Sequence, residues 1–128
     1  MVGCRPASLL VATYNVMTMR QPGRLQDIVK VLSKYHVMGL QGTRVLTQEP
    51  IKCSTAMGMI SMEAGYANCS GGNRHAGVAL MLSKRIFQEN MVKWVDAPAP
   101  APLRGRGLAA RVKSSFFDAM FMVLYFPL

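Results

Sequence analysis

The chain has 128 residues, and its 15 Lys+Arg against 6 Asp+Glu give a formal net charge of +9. Hydrophobic residues make up 51% and charged residues only 16%, with a mean hydropathy of +0.20. These values exclude a disordered tail, a highly charged linker, a collagenous chain and a disulfide mini-protein, and the length predicts one domain over 1–128.

In chain order, Leu9 to Tyr14 is a continuous apolar and β-branched run, which predicts a strand buried on both faces. The same stretch could pass for a short signal core, but no small-x-small cleavage pattern follows it, so the strand reading is preferred. Pro22-Gly23 breaks the chain. Leu25, Ile28, Val29, Leu32 and Tyr35 then fall on one face of an amphipathic helix, with Lys30 and Lys34 toward its C-terminal end, where the helix dipole favours cations. Val37 to Leu40 reads as a second buried strand. Strand, helix and strand in such quick succession predict a βαβ unit with a parallel pair and a right-handed crossover.

Thr47 to Ala56 is polar and contains a proline, so a loop is expected there. Gly58 to Asn68 holds a short Met-rich strand that pairs as a hairpin with Gly77 to Leu82, across the turn cluster Ser70 to Arg74. Asn90 to Val95 adds a short strand. The alternating prolines from Ala97 to Pro102 form an extended surface loop inside the domain. Leu108 to Val112 and Ala119 to Tyr125 complete the set of strands.

No run reaches the roughly 18 apolar residues of a spanning helix, so no membrane partner is expected and the predicted location is intracellular, with the nucleus as a candidate. Cys4, Cys53 and Cys69 form no C-x-x-C pair, and an odd count argues against a disulfide framework. His36 and His75 lie in no H-x-x-x-H pattern, so no zinc site is expected. The 11 methionines read as core filler without a partner-binding stripe.

Five short motifs in order then resemble one family. Ala12-Thr13-Tyr14-Asn15-Val16 is similar to an opening "A-T-W-N-V" strand, and Leu40-Gln41-Gly42-Thr43-Arg44 to an "L-Q-E-T-R" strand end. Gly77-Val78-Ala79-Leu80 with Ser83-Lys84-Arg85, Gly105-Arg106-Gly107, and Tyr125-Phe126-Pro127 resemble its "G-V-A-L…S-K-R", "G-R" and "Y-x-P" segments. The family is the endonuclease/exonuclease/phosphatase superfamily with the DNase I-like fold, and abasic-site-type endonuclease domains of non-LTR retrotransposons are the nearest in character. The resemblance implies an α/β fold: the N-terminal half of a DNase I-like α/β sandwich, with a mixed sheet and one clear βαβ unit. It implies ancestral magnesium-dependent cleavage of nucleic-acid phosphodiester bonds.

Two departures weigh against catalysis. The family's metal-binding glutamate is replaced by Gly42, and the downstream "G-D-x-N" and "S-D-H" motifs do not follow before Leu128. The chain is therefore expected to be a partial domain, and its strand at Met120 to Tyr125 is expected to lack a companion sheet. Phosphodiester hydrolysis needs a metal, a base and donors for the developing charge, and magnesium needs hard oxygen ligands. Glu49 is the acid nearest Gly42 in sequence, while Asp27 is expected to face solvent and Glu89, Asp96 and Asp118 to sit in or beside loops. No metal site is recognisable, so Mg2+ is not expected to bind well.

By resemblance, two catalytic-type positions survive. Asn15 matches the strand-end asparagine that orders the active site; otherwise it stabilises a turn. Tyr125 matches the tyrosine that contacts the scissile phosphate; otherwise its ring is core and its hydroxyl meets water. His75 reads as a solvated loop residue and His36 as a helix C-terminal partner. Arg74, Arg104, Arg106, Arg111 and Lys113 form a basic set for weak, salt-dependent nucleic-acid binding, with Lys84 and Arg85 flanking the hairpin. The expected function is thus an inactive remnant of a metal-dependent endonuclease. The alternatives are a non-catalytic basic binding remnant and a retroelement relic with no stable product.

Overall fold

A computed structural model describes residues 8–17, 19, 21–44, 52–55, 57–64, 77–95, 106–115 and 118–125. The expected 97–102 loop and 70–74 turn, and Cys4, Cys69, Glu49, Asp96, His75, Arg74 and Arg104, lie outside these residues.

Two β-sheets and one α-helix organise the described residues. The first sheet contains β1 (Val11–Asn15), β2 (Val37–Gln41), β3 (Lys52–Ser54), β4 (Met59–Ala64) and β5 (Val78–Ser83). Its five strands lie in the order β1-β2-β5-β4-β3. β1 and β2 are parallel, with α1 (Arg24–Leu32) between them in the chain, and all other pairs are antiparallel. The second sheet is antiparallel, with β6 (Val92–Trp94), β7 (Gly107–Lys113) and β8 (Asp118–Leu124) in that order. A 3₁₀ turn, Glu89–Met91, leads into β6.

The central strands of the first sheet, β2, β5 and β4, are buried on both faces because each face has its own cover. Met38, Leu40, Met59, Ala79 and Met81 meet the helix through Ile28, Leu25, Val29 and Leu32. The alternate residues Val37, Ile60, Met62, Leu80 and Leu82 meet Leu108, Ala110, Val112 and Val123 of the second sheet. Strands covered on both sides lose the apolar/polar alternation of half-buried ones, which is why β2 and β5 read as unbroken apolar runs. Burying each such Leu, Met or Val contributes about 1.5–3 kcal/mol.

Local chemistry fixes the helix ends. Gly23, at φ +79°, takes the left-handed conformation before Arg24, where a side chain would be strained. Asp27 lies in the first turn and Lys30 in the last, each with the sign the dipole favours. Beyond the helix, the Arg85 guanidinium donates to the Tyr35 carbonyl (3.1 Å) and to the Ser33 carbonyl. Gly39 sits mid-strand because a Cβ there would come within 3.1 Å of Val123.

Three expectations need correction. β1 is not buried on both faces: it is an edge strand, with Val11 56% and Tyr14 48% exposed. Only the helix side is partly covered, through Ala12. The segment read as loop over 47–56 contains β3, a three-residue edge strand held by β4. Lastly, β8 does have a facing sheet, since Val123 is buried and Phe121 and Tyr125 pack against the inter-sheet core. Its outer row, Met120, Met122 and Leu124, is exposed.

Candidate functional site

Because β1 and β2 are parallel, their carboxyl ends lie side by side, and Asn15 pairs in register with Gln41. β5 is antiparallel to β2, so its start, at Gly77-Val78, comes to the same end. Crevices at the carboxyl ends of such strands are where open α/β sheets place ligands. Here the backbone is knitted by Val16 N–H to Gln41 O (2.9 Å), Met19 N–H to Thr43 O (2.8 Å) and Thr43 N–H to Gly77 O (3.1 Å).

This end also concentrates left-handed backbone. Met17, Gly42, Arg44 and Gly77 have φ of 66°, 70°, 56° and 129°. A Cβ on Gly42 would lie 2.7 Å from Asn15 Oδ1, and one on Gly77 would lie 2.2 Å from Thr43 Oγ1. Glycine is required at both positions by conformation and by space. Non-glycine residues held there cost about 1–3 kcal/mol each and persist only where surrounding contacts over-determine them. The hydrogen bonds above and buried Thr43 supply those contacts.

The side chains here donate more than they accept. Arg44 Nε is buried and has no hydrogen-bond partner among the described residues. Arg24 donates to the Val16 carbonyl at 3.3 Å. Asn15 Oδ1 accepts from Met17 N–H at 3.1 Å, which is the turn-stabilising role an asparagine plays locally. This donor-rich set does not fit magnesium, which needs several hard oxygen ligands. Gly42 offers no side chain, and among the described residues no three His, Cys, Asp or Glu side chains converge. Among the described residues, the side chains named at these strand ends are Asn15, Arg24, Thr43 and Arg44, none of them a carboxylate or an imidazole.

The remaining described site residues, Arg106, Arg111, Lys113 and Tyr125, fall on or beside the strands of the second sheet. Tyr125 N–H donates to the Arg106 carbonyl at 2.8 Å, so these two lie together. Arg111 and Lys113 project from the exposed face of β7, and Arg111 pairs in register with Lys93 of β6. Lys93 was missed by sequence reading, although the alternation of Val92, Lys93 and Trp94 could have placed it outward. Arg111 also holds Asp118, with Nε to Oδ1 at 2.8 Å. That hydrogen bond keeps Asp118 below the usual carboxylate range and raises Arg111. Of the cations beside the hairpin, Lys84 donates to Thr55 O (3.1 Å), and Arg85 caps the helix end.

Arg44 is the other residue that sequence reading passed over. It was read only as part of the "T-R" motif, and its orphaned nitrogen emerges from burial alone. Comparison with known protein families and with curated proteins finds no match to the chain. Among the described residues, no helix is long and apolar enough to cross a membrane.

Proposed function

We propose that the chain is a catalytically silent relative of the metal-dependent phosphodiesterases of the DNase I-like fold, retaining phosphate recognition without hydrolysis. The observation that carries this reading is Arg44, whose buried Nε lacks an acceptor among the described residues at these strand ends. Leaving a buried donor unmade costs about 1–3 kcal/mol, and a phosphate oxygen is the acceptor a guanidinium fits best. The strand-end neighbours Asn15 and Gly42 support the same reading: the turn asparagine is kept, while the metal-ligand position carries no side chain. The exposed row of Lys93, Arg111 and Lys113 favours nucleic acid as the phosphate source, since such a row attracts a polyanion without reading its sequence.

Binding of a fluorescent DNA duplex across a salt series, run beside supercoiled-plasmid nicking in magnesium, tests this. The expected result is binding that falls with salt at a log–log slope of roughly −2 to −3, as a few phosphate contacts give, with no nicking. Arg44→Ala is expected to weaken binding and shorten the slope by about one unit. Chelator-sensitive nicking would overturn catalytic silence. Binding that ignores salt, or none at all, would overturn the nucleic-acid assignment.

A further inference from the structure

At the edge of the molecule far from β1, the two sheets part. β3 and β4 of the first sheet and β6 of the second enclose a cleft of about 330 Å³ lined by Cys53, Thr55, Ile60, Glu89, Val92 and Trp94. That volume lies within the range of small-molecule sites, about 300–1,000 Å³. Ile60 is buried and Val92 and Trp94 are half-buried, so the floor is apolar. Val92 and Trp94 pair with the core residues Val112 and Ala110, which turns both toward the cleft side of β6. Lys93 between them is exposed and opposite Arg111, on the other face.

Among the described lining side chains, Glu89 is the acidic one and none is Lys or Arg. It has no ion-pair partner among the described residues, in a chain where Lys+Arg outnumber Asp+Glu 15 to 6. A carboxylate beside an indole and two branched aliphatic side chains is complementary to one kind of ligand. The carboxylate and the ring face both attract a cation, and the aliphatic floor takes an apolar body.

We propose that this cleft binds small organic monocations that carry an aromatic or branched apolar group. The site is separate from the phosphate-binding reading of the strand ends, and of opposite charge preference. Anions are disfavoured by the Glu89 carboxylate, which none of the described lining side chains offsets with a positive charge.

Trp94 is the only tryptophan of the chain, so its emission reports this cleft alone. The full chain is titrated with 2-phenylethylammonium, 2-phenylethanol and phenylacetate, which share a phenyl group and differ in charge. The expected result is a saturable change in Trp94 emission, with the ammonium bound about tenfold more tightly than the alcohol and phenylacetate weakest. Glu89→Gln, an exposed substitution, should reduce the ammonium to the affinity of the alcohol and leave the alcohol unchanged. Alkylation of Cys53, read by peptide mass spectrometry, gives a second measurement: the ammonium should slow it in the parent chain and not in Glu89→Gln. Equal affinities for the three probes, or a cation preference that survives Glu89→Gln, would overturn the proposal. So would the absence of both a Trp94 response and Cys53 protection.

Discussion

At Gly42 a left-handed φ of +70° meets a neighbour, Asn15 Oδ1, that would stand 2.7 Å from any Cβ. Restoring the glutamate that the family resemblance expects is therefore a structural insult before it is a chemical gain. Gly42→Glu should lower stability by about 1–2 kcal/mol from backbone strain, seen as a lower urea midpoint, and should produce no magnesium-dependent nicking. A variant as stable as the parent, or one that nicks, would contradict this. His36 sets a different residue-scale dependence. Its Nδ1 accepts the Leu10 N–H at 2.9 Å, and burial, then the nearby Arg85 charge, hold it below the ordinary imidazole value of 6.5. The unfolded chain thus binds this proton more readily than the folded one, so the contribution is complete above 6.5 and is lost as pH falls from there toward the lower folded value. The urea midpoint should drop over that window, and His36→Gln should flatten the drop; identical profiles would show that His36 is not responsible.

Elements with strong periodicity were legible in the sequence, and those defined by their neighbours were not. α1 could be read because Leu25, Ile28, Val29 and Leu32 repeat at helical spacing, and β2 and β5 because a strand covered on both sides is apolar throughout. β3 could not, since Lys52-Cys53-Ser54 has no pattern of its own and is a strand only by pairing with β4. β1 was read as doubly buried because composition reports apolarity and not position, and its place at the sheet edge is a tertiary outcome. The candidate site divided the same way: Asn15 and Gly42 stood out as motif letters, whereas Arg44 and Lys93 required burial and register. β8 carries the plainest liability among the elements. It is an edge strand whose outer row, Met120, Met122 and Leu124, is 53%, 65% and 51% exposed, and Asp118 is its only charged residue. Natural edges are protected by charge, proline or bulges. Met122→Lys should raise the concentration at which light scattering appears while moving the melting free energy by no more than about 0.5 kcal/mol. Unchanged scattering would locate the sticky surface elsewhere.

For the molecule as a whole, the first sheet is the shared wall of two cores. One joins it to α1 and the other to β6, β7 and β8. Because both covers bury their apolar side chains against that wall, the chain is expected to unfold in a single step. Far-UV circular dichroism and Trp94 emission should give coincident urea midpoints, and Leu80→Ala should shift both together by about 2–5 kcal/mol. Separated midpoints would mean that the covers melt independently. The strand order has a further consequence, for the growing chain. β2 lies between β1 and β5, so Val37 cannot find its second partner, Leu82, until the ribosome has made everything between them. Elongation runs at roughly 5–20 residues per second. For some seconds, therefore, the nascent β1–α1–β2 segment leaves one edge of β2 without its partner strand, and whatever binds unpaired strands during synthesis has its opportunity then.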